Sequence, residues 1–313
     1  MISAVFSGDF RSEFVLRRRG DICGGSMTTH NAHRVAVVGA GVMGTNIATM
    51  ILGHGVPVIL TDLGDTVLDQ ARSSIYGMLR HARLLGAQPA GVPLGDLVTT
   101  TVPEEVAGVT AVIEAVTEST EVKAKVLGEY SGLVRPGTPI ISNTSGIPVD
   151  EMANWVARPA ELAGTHFMNP AYLIRMVEVV RGPRTGDETM AAITALLTAL
   201  DRRPVVVGDS PGFVTSRLLH PMINDAARLV GGGTATAEAV DALMEGCLGH
   251  PTGPLRTADL IGLDNLADSL QAIYERTGDE GARPCDTLLA KVRDGDLGRK
   301  SGRGFYDYGR TKP

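Results

Sequence analysis

Short β-branched runs and longer helix-period segments take turns along the first two thirds of the chain. RVAVVGAG, starting at Arg34, is an apolar run that ends in glycines, as a strand buried on both faces should. TNIATMILGHG follows with helical spacing and closes at Gly53 and Gly55. PVILTD is a second short strand-like run, and a helical pattern covers about Thr66 to Leu85. TAVIEAV (110–116) reads as a strand and Glu121 to Tyr130 as a helix. PIISNTS (139–145), ELAGTHFM (161–168) and MVEVVRG (176–182) are further strand candidates. Asp187 to Leu200 reads as a helix and PVVVGDS as the last strand. Strand alternating with helix predicts an α/β fold with a doubly wound, mostly parallel sheet.

After Asp209 the strand-like runs stop. Phe213 to Val230, Thr236 to Gly246, Ile261 to Arg276 and Cys285 to Asp294 carry helical spacing, punctuated by Gly231-Gly232-Gly233 and the PTGP turn at 251–254. These patterns predict a Rossmann-type unit over 33–208 and an all-α unit over 209–313. Residues 1–32 are polar and irregular, hold Arg17-Arg18-Arg19, and read as a disordered leader, with Met27 a second candidate start. A length of 313 residues suits two cores better than one.

The totals narrow the function classes. A net charge of -6 argues against broad nucleic-acid binding. No apolar run reaches the ~18 residues of a membrane span, and no apolar segment follows the basic start as in a signal peptide. Cys23, Cys247 and Cys285 are scattered, so neither a disulfide framework nor a metal site is expected, and a reducing cytoplasmic setting is.

GAGVMG, Gly39 to Gly44, follows a predicted strand and opens a predicted helix. In that context Gly39 permits the tight turn, Gly41 lets the backbone approach a pyrophosphate at the helix N-terminus, and Gly44 lets helix and strand pack closely. Val42 and Met43 supply the first helical N–H groups. Asp62 ends the second strand, 18 residues past Gly44, where a carboxylate bonds ribose hydroxyls and repels a 2′-phosphate. NAD is the expected cofactor. FAD shares the fingerprint but needs more chain.

THFMNP sets His166 among apolar neighbours before a break at Asn169-Pro170. A lone imidazole there can be a core residue. Glu178, twelve residues on, lies between Val177 and Val179 on the next strand candidate. A carboxylate beside an imidazole fixes its tautomer, and alcohol oxidation needs such a base. Spacing also allows Glu178 to face solvent.

GAGVMG, VIEAVTES, SNTS, THFMNP, MVEVV, DSPGFV, ADLIGLD and GRKSGRGFYDY stand in that order over about 33–309. Together they resemble the NAD-dependent L-3-hydroxyacyl-CoA dehydrogenases, which include 3-hydroxybutyryl-CoA dehydrogenases. The resemblance implies that a 3-hydroxyacyl thioester is oxidised to its 3-oxo form. It implies His166 as catalytic base, Glu178 as its partner, and Ser145 and Asn169 beside the substrate. It further implies Glu118, Lys123, Asn143 and Lys300 on the cofactor side, and a homodimer through the helical unit.

Three departures bear on substrate. PGFVTSR has Ser216 where the family usually completes its catalytic set with Asn. ARSSIYGMLRHARLLG has no lysine where animal members bind CoA with a serine and a lysine; those positions fall on Met78 and Leu85, and Arg72, Arg80 and Arg83 remain. PTGPLRTAD carries Arg256-Thr257, which suggests a more polar substrate. The resemblance therefore also extends to relatives that oxidise hydroxyacyl groups on an acyl carrier protein, such as glyceryl-carrier protein on the way to hydroxymalonyl or methoxymalonyl polyketide extender units. A free hydroxy-acid dehydrogenase and a non-catalytic NAD-binding protein are the other readings of the same fold.

Overall fold

The structure is a computed structural model that describes residues 33–309. The leader expected over 1–32, its arginine triplet and Cys23 lie outside the described residues, as do residues 310–313.

Eight strands form one sheet in the order β3-β2-β1-β4-β5-β6-β7-β8. They are β1 (Val35–Val38), β2 (Val58–Thr61), β3 (Leu97–Thr100), β4 (Ala111–Glu114), β5 (Ile140–Asn143), β6 (Leu162–His166), β7 (Met176–Arg181) and β8 (Arg203–Gly208). All neighbours pair in parallel except β6 and β7. Helices α1 (Val42–Gly53), α2 (Asp65–Leu84), α3 (Thr120–Leu133), α4 (Val149–Met152) and α5 (Asp187–Ala199) cover the two faces.

Strand β1 shows why the apolar run is continuous. Val35 and Val37 join the core with α1, α2 and α5, while Ala36 and Val38 join the opposite core with Leu127 and Tyr130 of α3. Both faces are dry, so alternation would be wrong here. Each such valine contributes roughly 1.5–3 kcal/mol by leaving water.

Two departures from the expected pattern are local. β3 is a four-residue edge strand, LVTT, whose exposed positions and two threonines give no apolar run to detect. No helix separates β6 from β7; they form an antiparallel pair across the Phe167–Arg175 connection, so strand and helix do not alternate throughout. That reversal positions the site.

Beyond Gly208 the described elements are helical: α6 (Thr215–Gly231), α7 (Ala237–Leu248), α8 (Pro254–Ile261), α9 (Leu263–Thr277) and α10 (Asp286–Arg293). The single helix expected from Ile261 to Arg276 begins instead at Leu263, because Gly262 takes φ 95° and ends α8. The expected α/β sheet followed by an all-helical unit is what the chain forms. No helix among the described residues is long and apolar enough to cross a membrane.

Candidate active site

The sheet order reverses between β1 and β4, and in such sheets ligands bind outside the C-terminal strand ends at that point. The glycine turn sits there. Gly39 has φ 103°, and a Cβ on it would meet Ala115 O at 2.7 Å. A Cβ on Gly44 would lie 1.8 Å from Gly39 O. Both glycines are therefore demanded by packing. A Cβ on Gly41 meets nothing within 4 Å. Packing asks nothing of Gly41, and the open space beside it is what a pyrophosphate needs at the first turn of α1. That turn has no side-chain cap and no acidic residue. Val42 is exposed and Met43 half-buried at the same turn.

Asp62 follows β2 and closes the turn from the other side. Ala40 N donates to its Oδ2 at 2.7 Å and Leu63 N to its Oδ1 at 2.7 Å. The carboxylate is fixed within the site, with lone pairs left for ribose hydroxyls. These residues fit a nicotinamide adenine dinucleotide.

A buried polar network lies behind the neighbouring strand ends. Lys123 Nζ donates to both oxygens of Glu114 at 2.7 and 2.9 Å, and to Asn143 O at 3.3 Å. Ser142 Oγ and Val116 N also donate to Glu114. Lys123 reaches Glu118 Oε2 at 3.2 Å. Its side chain has no exposed surface, so it does not meet a cofactor directly; it holds Glu118. Glu118 Oε1 in turn accepts from Ser145 N at 2.8 Å, Gly146 N at 3.3 Å and the Thr144 hydroxyl. The carboxylate thus shapes the loop that presents Ser145. Asn143 Oδ1 accepts from Phe167 N at 3.1 Å and ties this loop to the residue after His166.

His166 ends β6, and Glu178 stands directly opposite it on β7. His166 Nδ1 lies 3.1 Å from Glu178 Oε2. The exposed-glutamate alternative is thereby removed: Glu178 is buried. Its carboxylate is held from the N-terminus of α6, where Val214 N donates to Oε1 at 2.7 Å and Thr215 N at 3.3 Å. Burial pushes its pKa up, but the bonds from His166, Thr215 and Val214 outweigh that and bring it down to about 2.

The turn that delivers these N–H groups is strained. Gly212 has φ 76° and Phe213 has φ 50°, a left-handed conformation that bulky residues rarely take. Phe213 is buried, with its ring edge-on to His166 at 6.2 Å between centroids. A Cβ on Gly212 would meet Ile273 Cδ1 at 2.7 Å.

Thr215 is the residue that sequence reasoning missed. Its Oγ1 lies 2.7 Å from Glu178 Oε2 and 3.0 Å from His166 Nδ1. The neighbouring Ser216, expected to stand in for the family's asparagine, does not join the pair. Its hydroxyl is buried without a partner among the described residues. One turn on, His220 bonds Ser269 at 2.8 Å, and burial, with the field of His166, lowers its pKa to about 4. It is neutral.

Other expected residues fall outside the network. Asn169 is exposed beside the His166 strand end and takes no part in holding His166. Lys300 is paired with Asp264 at 2.5 Å inside the helical unit rather than with the glycine turn. Arg256 lies over the Tyr306 ring at 4.3 Å and Thr257 bonds Gly253 O, so both side chains have partners within the helical unit. No His, Cys, Asp and Glu cluster able to hold a metal occurs among the described residues.

The chain is similar to known proteins along its described length. The family model for the 3-hydroxyacyl-CoA dehydrogenase NAD binding domain matches residues 34–210, and that for the 3-hydroxyacyl-CoA dehydrogenase C-terminal domain matches 212–308. The chain is 38% identical over 278 residues to the "Probable 3-hydroxybutyryl-CoA dehydrogenase" of Deinococcus radiodurans, covering 88% of this chain and 100% of that one. It is 36% identical to the 3-hydroxybutyryl-CoA dehydrogenase of Bradyrhizobium diazoefficiens over 90% of this chain and 97% of the other. Among solved structures, M. tuberculosis FadB2 superposes with a TM-score of 0.84 at 35% identity, covering 88% of this chain and 99% of FadB2. The chain belongs to the 3-hydroxyacyl-CoA dehydrogenase family.

Proposed function

We propose that this member of the 3-hydroxyacyl-CoA dehydrogenase family oxidises the 3-hydroxyl of a 3-hydroxyacyl-CoA, such as 3-hydroxybutyryl-CoA, to the 3-oxo compound with NAD+, reversibly. The observation that carries this is the His166–Glu178 pair, with Nδ1 held by the buried Glu178 carboxylate and by the Thr215 hydroxyl. Nε2 is then the ring nitrogen that can take the hydroxyl proton. Bound NAD+ supplies the hydride acceptor. The turn at Gly39, Gly41 and Gly44 and the Asp62 carboxylate would hold it, with the free acid discriminating against a 2′-phosphate. Ser145, presented by the Glu118-held loop, supplies a hydroxyl beside the substrate oxygen. Glu178, kept ionised, stabilises the imidazolium that forms as the proton arrives.

The carrier is read from α2. Arg80 and Arg83 are exposed on that helix and border a cleft of ≈ 250 Å³ with Tyr76, Leu79 and Leu94. Neither has an ion-pair partner among the described residues. Guanidinium pairs take phosphate oxygens in a bidentate fork, so the absence of lysine does not leave this face without anion-binding groups. This supports CoA over a carrier protein as the thioester. Exposed Leu218, Leu243 and Leu248 support a homodimer through the helical unit.

One assay tests the reading: NADH formation from the free 3-hydroxy acid, its CoA thioester and its carrier-protein thioester. CoA thioester turnover is the expected result. Turnover of the carrier-protein form alone would move the substrate to the extender-unit branch, and turnover of the free acid alone would overturn the thioester assignment.

A further inference from the structure

We propose that Thr215 is the positioning residue that sets the tautomer of His166 and so leaves Nε2 as the basic nitrogen. The proposal rests on the reading of His166 as the base. Three atoms form a closed triangle. Thr215 Oγ1 is 2.7 Å from Glu178 Oε2, and His166 Nδ1 is 3.0 Å from Oγ1 and 3.1 Å from Oε2. An oxygen–oxygen separation of that length needs a proton between the two atoms. Thr215 must provide it, because Glu178 carries none. Two backbone N–H groups donate to its other oxygen, and its acidity is far above that of an ordinary carboxyl.

A hydroxyl has one proton. With it committed to Glu178, Thr215 turns a lone pair toward Nδ1. Glu178 offers only lone pairs as well. Nδ1 therefore carries the proton of the neutral ring and shares it between two acceptors, and the free lone pair is on Nε2. Glu178 alone leaves this less secure. Its Oε1 is pinned by Val214 and Thr215 N–H, while among the described residues Oε2 has no partner besides His166 and the Thr215 hydroxyl.

The chain arranges this through local structure. Phe213 in its left-handed turn brings Thr215 to the first position of α6. A β-branched side chain has few rotamers there. Its hydroxyl points into the triangle, while the residue also borders an apolar trough with Met168, Leu218, Leu219 and Met222. Neither nearby polar group takes the role: the Ser216 hydroxyl has no hydrogen-bond partner among the described residues and His220 is held by Ser269. As the proton arrives on Nε2, charge develops on the ring and both bonds from Nδ1–H strengthen. The hydroxyl thus acts on the chemical step more than on binding.

The test compares wild type, Thr215→Val and Thr215→Ser. Valine keeps the shape and removes the hydroxyl. Thr215→Val should lower kcat by about tenfold or more with KM for thioester and NAD+ within about twofold, and Thr215→Ser should recover most of the loss. NMR of 15N-labelled histidine, assigned with His166→Gln, reads the tautomer without turnover. Wild type should show one Nδ1-protonated form of His166 and Thr215→Val a mixture. An unchanged kcat in Thr215→Val, a loss confined to KM, serine no better than valine, or identical 15N shifts would each overturn the proposal. If wild type turned over no thioester, the functional reading would fall and the NMR comparison would still decide the tautomer.

Discussion

Glu178 faces His166 across the antiparallel pair of β6 and β7, the one reversal in the sheet. A further parallel crossover at this place would have needed a connection of a dozen residues or more. The short Phe167–Arg175 link instead returns the chain at once and puts the carboxylate opposite the imidazole in register. His166→Ala should therefore lower kcat at least ~100-fold while leaving NADH affinity nearly unchanged, since the cofactor turn lies on other strands. Stopped-flow turnover and NADH fluorescence titration measure the two separately; a variant with wild-type kcat would remove His166 from the chemistry.

Glu178 also makes stability depend on pH. Its carboxyl is brought from the ordinary 4.5 to about 2 in the folded chain. A depressed folded pKa means the stabilisation is fully present above 4.5 and is lost as pH falls through about 2. The shift corresponds to about 3 kcal/mol at most. Urea unfolding of wild type at pH 5 and pH 3 should show a larger loss than Glu178→Gln shows over the same interval. Equal losses would mean that Glu178 is not held as described.

Much of this architecture is legible from residue order because it rests on local rules. GAGVMG after a buried run marks a turn whose glycines are demanded one by one, and the β1 run is apolar because it has no wet face. The parts that are not legible depend on distant contacts. LVTT becomes β3 only because β2 offers a partner edge. Lys123 reads as a solvated or cofactor-facing cation until Glu114, Glu118 and Asn143 close around it. Thr215 looks like an ordinary helix-start residue, and the left-handed Phe213 that aims it follows no propensity. Ser216 departs from the family motif, yet the hydroxyl that reaches the pair is one residue earlier.

Asp62 should set cofactor choice. It is held by Ala40 N and Leu63 N at the end of β2, so its charge cannot swing away from a 2′-phosphate. Asp62→Ala should raise KM for NAD+ by about tenfold, the loss of a charge-assisted bond, and narrow the preference over NADP+. Steady-state kinetics with both cofactors checks this. An unchanged ratio of the two kcat/KM values would place the ribose elsewhere.

The buried Lys123–Glu114 pair predicts an asymmetry between single and double variants. Lys123→Met strands a buried carboxylate that still has Ser142 Oγ and Val116 N but no countercharge. Glu114→Gln strands the ammonium with only Glu118, among the described residues, to balance it. Each single change should cost roughly 3–5 kcal/mol, and the double variant less than the sum. Denaturant melts of the four proteins measure the coupling, and additive losses would show that the two charges do not depend on each other.

Gly41 and Gly44 should fail in different ways, and the contrast separates cofactor space from packing. Gly44→Ala forces a Cβ to 1.8 Å from Gly39 O, which the strand–helix contact cannot absorb, so the thermal midpoint should fall by several degrees. Gly41→Ala meets no atom within 4 Å and lies at an extended φ of -72°, so the chain should fold with a wild-type midpoint. The added methyl instead enters the space left for the pyrophosphate, and NADH affinity should drop by about tenfold or more. Paired melts and NADH titrations of the two variants read both quantities. If Gly41→Ala bound NADH as wild type does, the pyrophosphate could not pass over this turn, because that opening is the one feature of the motif that packing does not explain.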